Sequence, residues 1–283
     1  MKAGKYSIRE LFSNRYIEQI VVPEIQRDYV WGKEQVTGLL TSIVNDFTAF
    51  GKGNIELSTT INPDIADAFR EYYKRQMFSS NIGFIYAYND PEYGGKYFLI
   101  DGQQRITSIY ILLLALASKV DSFKPDFSKI YLDNGKLKLD YKVREASHDF
   151  LKQFVDFALN DIGKVTDQSW YYKEYESDAT ISSIVGNYSI ISDFLDQTDI
   201  QLIDFANYLQ DFVDFWYFDT NISEQGEELY IYMNARGEQM QGNENLKADI
   251  LSRLSNFEVE KTSSRADNVC SQTKVNFLLD SVS

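Results

Sequence analysis

The sequence predicts an α+β fold: a small mixed sheet with helices, followed by a mainly helical region that carries one late strand. Three observations lead there. Short apolar runs of strand character, Tyr16 to Val22, Ile82 to Tyr88 and Lys96 to Ile100, fall near the start of the chain and are closed by turn-forming residues. From about residue 140 the apolar residues recur at helical spacing instead. A dense aromatic run, Phe212, Val213, Phe215, Trp216, Tyr217 and Phe218, interrupts that helical region between Asp211 and Asp219 and reads as a buried strand. Such a strand can return to the first sheet, which would make a boundary near residue 135 a matter of chain order rather than a domain cut.

In chain order, Ser7-Ile8-Arg9-Glu10 has the Ser-x-x-Glu form of a capping box and opens a short helix with Leu11 and Phe12. The strand ending at Val22 is closed by Pro23, and Pro23 to Trp31 form an aromatic and cationic turn. Val36, Leu39, Leu40, Ile43, Val44 and Phe47 mark an amphipathic helix that Gly51 and Gly53 end. Residues 51–80 are polar and irregular apart from a helix from Ile65 to Met77. Ile82–Tyr88 and Lys96–Ile100 pair as a hairpin across Asn89 to Gly95, and an apolar helix then runs from about Ile106 to Ala117. Phe150, Leu151, Phe154, Val155 and Ala158 form one later stripe, and Tyr188, Ile191, Phe194 and Leu195 another. Glu227 to Met233 reads as helix, broken at Asn234-Ala235-Arg236-Gly237, and Asn245 to Leu254 as a further helix. The expected division is 1–135, a core built on the sheet; 136–255, mainly helical; and 256–283, a tail or truncated linker.

Composition limits the chemistry. With 283 residues, 44% of them hydrophobic, the chain can build one large core or two modest ones. Its longest dense apolar run, Ile109 to Ala117, is far shorter than the ~20 residues a bilayer span needs. The opening residues Met1 to Tyr6 lack the apolar core of a signal peptide, and Cys270 is the lone cysteine, so a cytoplasmic protein is expected. The net charge of −14 is concentrated: residues 151–230 hold three basic and sixteen acidic side chains, a net of −13. This argues against general nucleic-acid affinity and leaves room for a local basic site elsewhere. His148 is the single histidine. A His/Cys zinc site, a His-Asn-His nuclease and a His-Glu-x-x-His protease are thereby excluded from this sequence. A Ser-His-Asp triad would have to use His148 beside Ser147, and a surface histidine is the expectation there.

Three stretches carry the candidate chemistry. The first is Asp101-Gly102-Gln103-Gln104-Arg105, where a strand gives way to the apolar helix. One reading is structural, with Asp101 capping the helix, Gly102 supplying a tight turn and the next three residues solvated. The other puts an anion on the free N–H groups of the helix mouth, with Gly102 allowing close approach, Arg105 neutralising charge, Asp101 holding Mg²⁺ or orienting water, and a glutamine positioning the water. An arginine in a first helical turn opposes the macrodipole, which favours the second reading. The second stretch is Gln26-Arg27-Asp28-Tyr29-Val30-Trp31: either an aromatic turn with Tyr29 and Trp31 in the core, or Arg27 on phosphate with an aromatic ring on a base. The third is Asn234-Ala235-Arg236-Gly237, either a helix stop with Gly237 after it or a pair of polar anchors with Lys247 nearby. Gly94-Gly95-Lys96 does not make a P-loop, because the required first glycine would fall at Asp90.

Taken in this order, Pro23-x-x-Gln26-Arg27-x-Tyr29-x-Trp31, Leu99 to Thr107 with Asp-Gly-Gln-Gln-Arg at its centre, and Asn234-x-Arg236-Gly237 with Leu246-Lys247 resemble the N-terminal domain of GmrSD-type, modification-dependent restriction endonucleases, related to ParB and sulfiredoxin folds. The resemblance spans roughly residues 6 to 254. It implies a ParB-like sheet and a phage-defence regulatory domain that binds and hydrolyses a nucleoside triphosphate with Mg²⁺. It further implies that Asp101, Gly102, Gln103, Gln104, Arg105 and Thr107 form the triphosphate site, with Asp101, Gln104 and Arg105 carrying the catalysis. Gln26 and Arg27 would border that site; Asn234, Arg236, Gly237 and Lys247 would close it; Tyr29 and Trp31 would contribute to sensing modified DNA. The implied partners are modified DNA and a nuclease domain or subunit carried outside this sequence; a homo-oligomer stays open, and no membrane is involved. Two alternatives remain: a non-catalytic DNA- or partner-sensing module using the same pocket, and direct nuclease action, for which no carboxylate cluster is visible.

Overall fold

The computed structural model describes residues 2–23, 28–52, 73–74, 77–89, 94–133, 135–141, 145–160 and 163–220. These belong to one compact unit that runs from Met1 to Ile231. The architecture is α+β. Strands β1 (Gly4–Ser7), β2 (Gln19–Val22), β3 (Ser80–Asn89), β4 (Lys96–Asp101), β7 (Leu139–Tyr141) and β8 (Val213–Asp219) form a mixed sheet in the order β1-β8-β3-β4-β2-β7. Two-residue strands β5 (Leu132–Asp133) and β6 (Lys136–Leu137) pair separately. Helices α1 (Ile8–Phe12), α2 (Lys33–Lys52), α3 (Gln103–Lys119), α4 (Lys124–Tyr131), α5 (Glu145–Asn160), α6 (Ala179–Gln197) and α7 (Leu202–Asp211), with two short 3-10 helices at Val165–Asp167 and Lys173–Ser177, complete the described fold.

β3 and β4 are antiparallel neighbours, as their hairpin spacing predicts, while β4 and β2 run parallel. The late strand β8 lies between β1 and β3, so residues from both sides of position 135 share one sheet. It is not buried on both faces. Val213, Phe215 and Tyr217 point into the core, whereas Trp216 and Phe218 are 43% and 38% exposed. Period-two alternation was masked by aromatic residues on both faces. Phe218 stacks on Tyr86 of β3 on that outer face, with ring centroids 5.3 Å apart.

α3 is the hub of the core. Every residue from Ile106 to Ala117 is buried, because α4, α5, α6 and α7 all pack around it. A helix apolar on all sides needs such a shell. The capping box at Ser7 and Glu10 forms as the sequence predicts, with both reciprocal bonds present. The strand expected from Tyr16 begins only at Gln19, since Asn14 accepts from the Tyr16 N–H and holds a turn there. His148 is half exposed, and its Nδ1 lies 2.6 Å from Oδ1 of the buried Asp140, which anchors α5 to β7. Most of the helix expected from Ile65 to Met77, and all of those expected at Glu227 to Met233 and Asn245 to Leu254, lie outside the described residues. Among the described residues no helix is long and apolar enough to cross a membrane.

Candidate functional site

The mouth of α3 is built by a strand that stops one residue short of the helix. β4 ends at Asp101, and Gly102 turns the chain with φ of 91°. Glycine is required there twice over: the left-handed backbone disfavours any Cβ, and a Cβ would stand 2.9 Å from Ile85 Cγ1. Gly102 is also the N-cap, so no side chain caps the helix. This corrects the structural alternative in which Asp101 serves as the cap. The N–H groups of Gln103, Gln104 and Arg105 have no intrahelical acceptor, and the helix dipole leaves the mouth positive.

Arg105 does not point its full charge at that mouth. β3 runs past the end of β4, leaving two of its carbonyls without a strand neighbour on that side. The guanidinium takes the neighbour's place, donating from Nη1 to Ile82 O at 2.6 Å and from Nη2 to Phe84 O at 2.8 Å. Nη2 also meets Asp101 Oδ2 at 3.2 Å. Gly83, with φ of 90°, makes the approach feasible, since a Cβ there would lie 2.4 Å from Nη1. A first-turn arginine is thus accounted for by strand carbonyls and a carboxylate without recourse to a bound anion.

The adjacent amides differ sharply. Gln103 is 8% exposed, and its buried Oε1 has no hydrogen-bond partner. Gln104 makes three bonds to the Asp28–Trp31 segment: Oε1 accepts from the N–H groups of Val30 (3.0 Å) and Trp31 (3.2 Å), and Nε2 donates to Asp28 O at 2.8 Å. Thr107, 1% exposed, shares a 2.5 Å hydrogen bond with the Tyr141 hydroxyl of β7 and lies in the core rather than at the mouth.

From the other side α6 holds the same segment. Thr180 Oγ1 accepts from the Tyr29 N–H at 3.1 Å and donates to Asp28 Oδ1 at 3.2 Å. Asn187 Nδ2 donates to Trp31 O at 2.6 Å and to the Tyr29 hydroxyl at 2.9 Å. The same hydroxyl lies 2.8 Å from Ser108 Oγ of α3. Burial pushes the Tyr29 phenol up to about 12, and its bonds to Ser108 and Asn187 pull the other way.

The sequence model of the GmrSD restriction endonuclease N-terminal domain matches residues 8–251. The chain belongs to the GmrSD N-terminal domain family. No curated protein matches it. As a GmrSD N-terminal domain it is a component of a restriction system, whose substrate class is DNA.

Within this GmrSD domain the structure brings the second stretch, from Asp28 onward, against the first. Tyr29 takes the core place of its two alternatives, with 0% exposure, and its enclosed ring has no face to offer a base. Trp31 is partly buried against the core. Gln26, Arg27, Asn234, Arg236, Gly237 and Lys247 lie outside the described residues. Sequence reasoning missed Thr180, Asn187 and Ser108. The one signal for the first two was a pair of polar residues on the buried stripe of a helix.

The mouth suits a phosphate group on two counts, the uncapped N–H groups and the buried, unpartnered amide of Gln103, whose two ends are interchangeable in assignment. A Mg²⁺ ion bridged to phosphates takes one or two carboxylates. Asp101 is the carboxylate in reach, and among the described residues only its Oδ2 is bonded. No group of three His, Cys, Asp or Glu among the described residues is arranged to hold a metal on its own.

Proposed function

We propose that this domain binds a nucleoside triphosphate with Mg²⁺ at the mouth of α3 and hydrolyses it, as the regulatory part of a restriction system that acts on modified DNA through a nuclease region outside this chain. The observation that carries the reading is the buried end of the Gln103 amide, which has no partner and is a donor once the amide is turned over, beside an uncapped helix N-terminus. A buried polar group without a partner costs about 1–3 kcal/mol, a cost a ligand at this place would remove. The backbone N–H groups of residues 103–105 receive the terminal phosphate oxygens, and Gln103 donates to the same group. Asp101 holds Mg²⁺ through the oxygen that Arg105 leaves unbonded. The metal supplies charge neutralisation on the phosphates. Arg105 serves chiefly by fixing Asp101 and the edge of β3, with two of its five donors still unused. Its guanidinium charge remains close to the site and adds to the positive potential there. Gln104 gives its Oε1 and one Nε2 hydrogen to residues 28–31, and its part in this scheme is structural rather than water-orienting.

Calorimetry with a non-hydrolysable triphosphate and Mg²⁺ tests the site, with Gln103→Glu as the control that places a carboxylate where phosphate is expected. Binding by the native chain and at least tenfold weaker binding by the variant is the expected result; equal binding places the nucleotide elsewhere. Phosphate release from each of the four NTPs then separates a hydrolase from the sensing module, because binding without release selects the latter.

A further inference from the structure

The Asp28–Trp31 segment has no regular secondary structure, yet five of its backbone polar groups are bound by side chains of two helices. Gln104 of α3 takes Asp28 O, Val30 N and Trp31 N. Thr180 of α6 takes Tyr29 N, and Asn187 of α6 takes Trp31 O. Thr180 and Asn187 are 0% and 2% exposed, the Tyr29 N–H bond to Thr180 is buried, and its loss leaves a buried donor bare. The Tyr29 hydroxyl, bonded to both Ser108 and Asn187, ties the segment to both helices at one atom.

Gln104 is the second residue of α3, between the orphaned Gln103 and Arg105. The segment it holds is therefore a wall of the helix mouth, and the other side of that wall is fastened to α6. Resting on the nucleotide reading above, we propose that Thr180 and Asn187, with Gln104, are positioning residues for the triphosphate: α6 pre-orders the 28–31 wall, and nucleotide affinity depends on that order. None of the three touches the ligand in this scheme. A wall ordered in advance adds no ordering cost on binding, and a loosened one transfers that cost to the ligand. Each of these bonds is worth about 5-fold to 10-fold in affinity if its whole net value is coupled to the ligand.

The test measures amide exchange at residues 29–31 together with Mg²⁺–triphosphate binding by the full chain. Asn187→Ala is expected to speed exchange at Tyr29, Val30 and Trp31, although Asn187 bonds none of those N–H groups, and to weaken binding about 5-fold to 10-fold. Thr180→Val is expected to do the same, and Thr180→Ser, which keeps the hydroxyl, to restore both readouts. The Thr180 pair decides the matter even if Asn187→Ala fails to fold. A native chain that binds triphosphate, with Thr180→Val or a folded Asn187→Ala binding it equally well, overturns the positioning role alone. A native chain that binds no triphosphate overturns the nucleotide reading and this role with it.

Discussion

The first turn of α3 and the first three turns of α6 grip the same four residues from opposite sides, with different chemistry. On the α3 side the grip is a partly exposed amide, Gln104, spread over three backbone groups of a segment in which Val30 is 59% exposed. On the α6 side it is two fully enclosed side chains, Thr180 and Asn187. Water reaches the bonds of the first more readily than those of the second, two of which, to Tyr29 N and the Tyr29 hydroxyl, are buried. The mouth of α3 is therefore adaptable on one side and fixed on the other, and the fixed side sits on the helix farther along the chain.

The largest expected effect separates α3's grip on β3 from both grips on the loop. Arg105→Ala bares Ile82 O, Phe84 O and the Asp101 carboxylate together, and should cost about 3 kcal/mol in urea unfolding, on the usual values for charged hydrogen bonds lost in a part-buried site. Arg105→Lys should recover only part of this, because an ammonium cannot span two carbonyls as a planar fork does. If Arg105→Ala unfolds at the native urea midpoint, the arginine is not a strand substitute, and its charge belongs to the ligand site instead.

The next effect tests the comparison itself. Asn187→Ala should destabilise the chain by about 2 kcal/mol and Gln104→Ala by about 1, although Gln104 makes more bonds, since only the former strands buried groups. Equal losses, or a larger loss at Gln104, would mean that burial does not decide which grip matters.

These two sides were also unequally legible. Gln103, Gln104 and Arg105 stood out because amides and a cation at a helix mouth conflict with capping and dipole preferences, so the sequence marked the place. It could not show that Arg105 bonds to β3 carbonyls and that Gln104 holds residues 28–31, because that depends on β3 outrunning β4 and on a loop some 75 residues upstream. Gly102 was legible as a turn, while the close approach of Ile85 that bars a side chain there was not. Thr180 and Asn187 were illegible: within Ala179–Gln197 they look like ordinary polar residues among apolar ones, and only packing against Tyr29 gives them work. The strand at Val213–Asp219 was found from its aromatic content, but its exposed face was hidden because Trp216 and Phe218 are as apolar as the residues that face inward.

Tyr29 joins the two sides, and removing its hydroxyl should have the smallest effect. In Tyr29→Phe, Ser108 Oγ keeps its bond to Gln104 O, and Asn187 keeps Trp31 O. A loss of about 1 kcal/mol is therefore expected at pH 9. The difference should then reverse as pH rises. Burial lifts the folded phenol from its ordinary 10 to about 12, so above pH 10 the unfolded chain releases a proton that the folded chain retains. The unfolded state then binds fewer protons, and stability falls with rising pH until the folded group also ionises near 12. That fall amounts to roughly 2 kcal/mol by pH 12, larger than the hydroxyl's own contribution. Urea midpoints at pH 9, 10.5 and 12 should accordingly show the native chain ahead at the first and Tyr29→Phe ahead at the last. A constant difference across the three would mean that the hydroxyl reaches solvent, and the junction between α3 and α6 would then be open rather than enclosed.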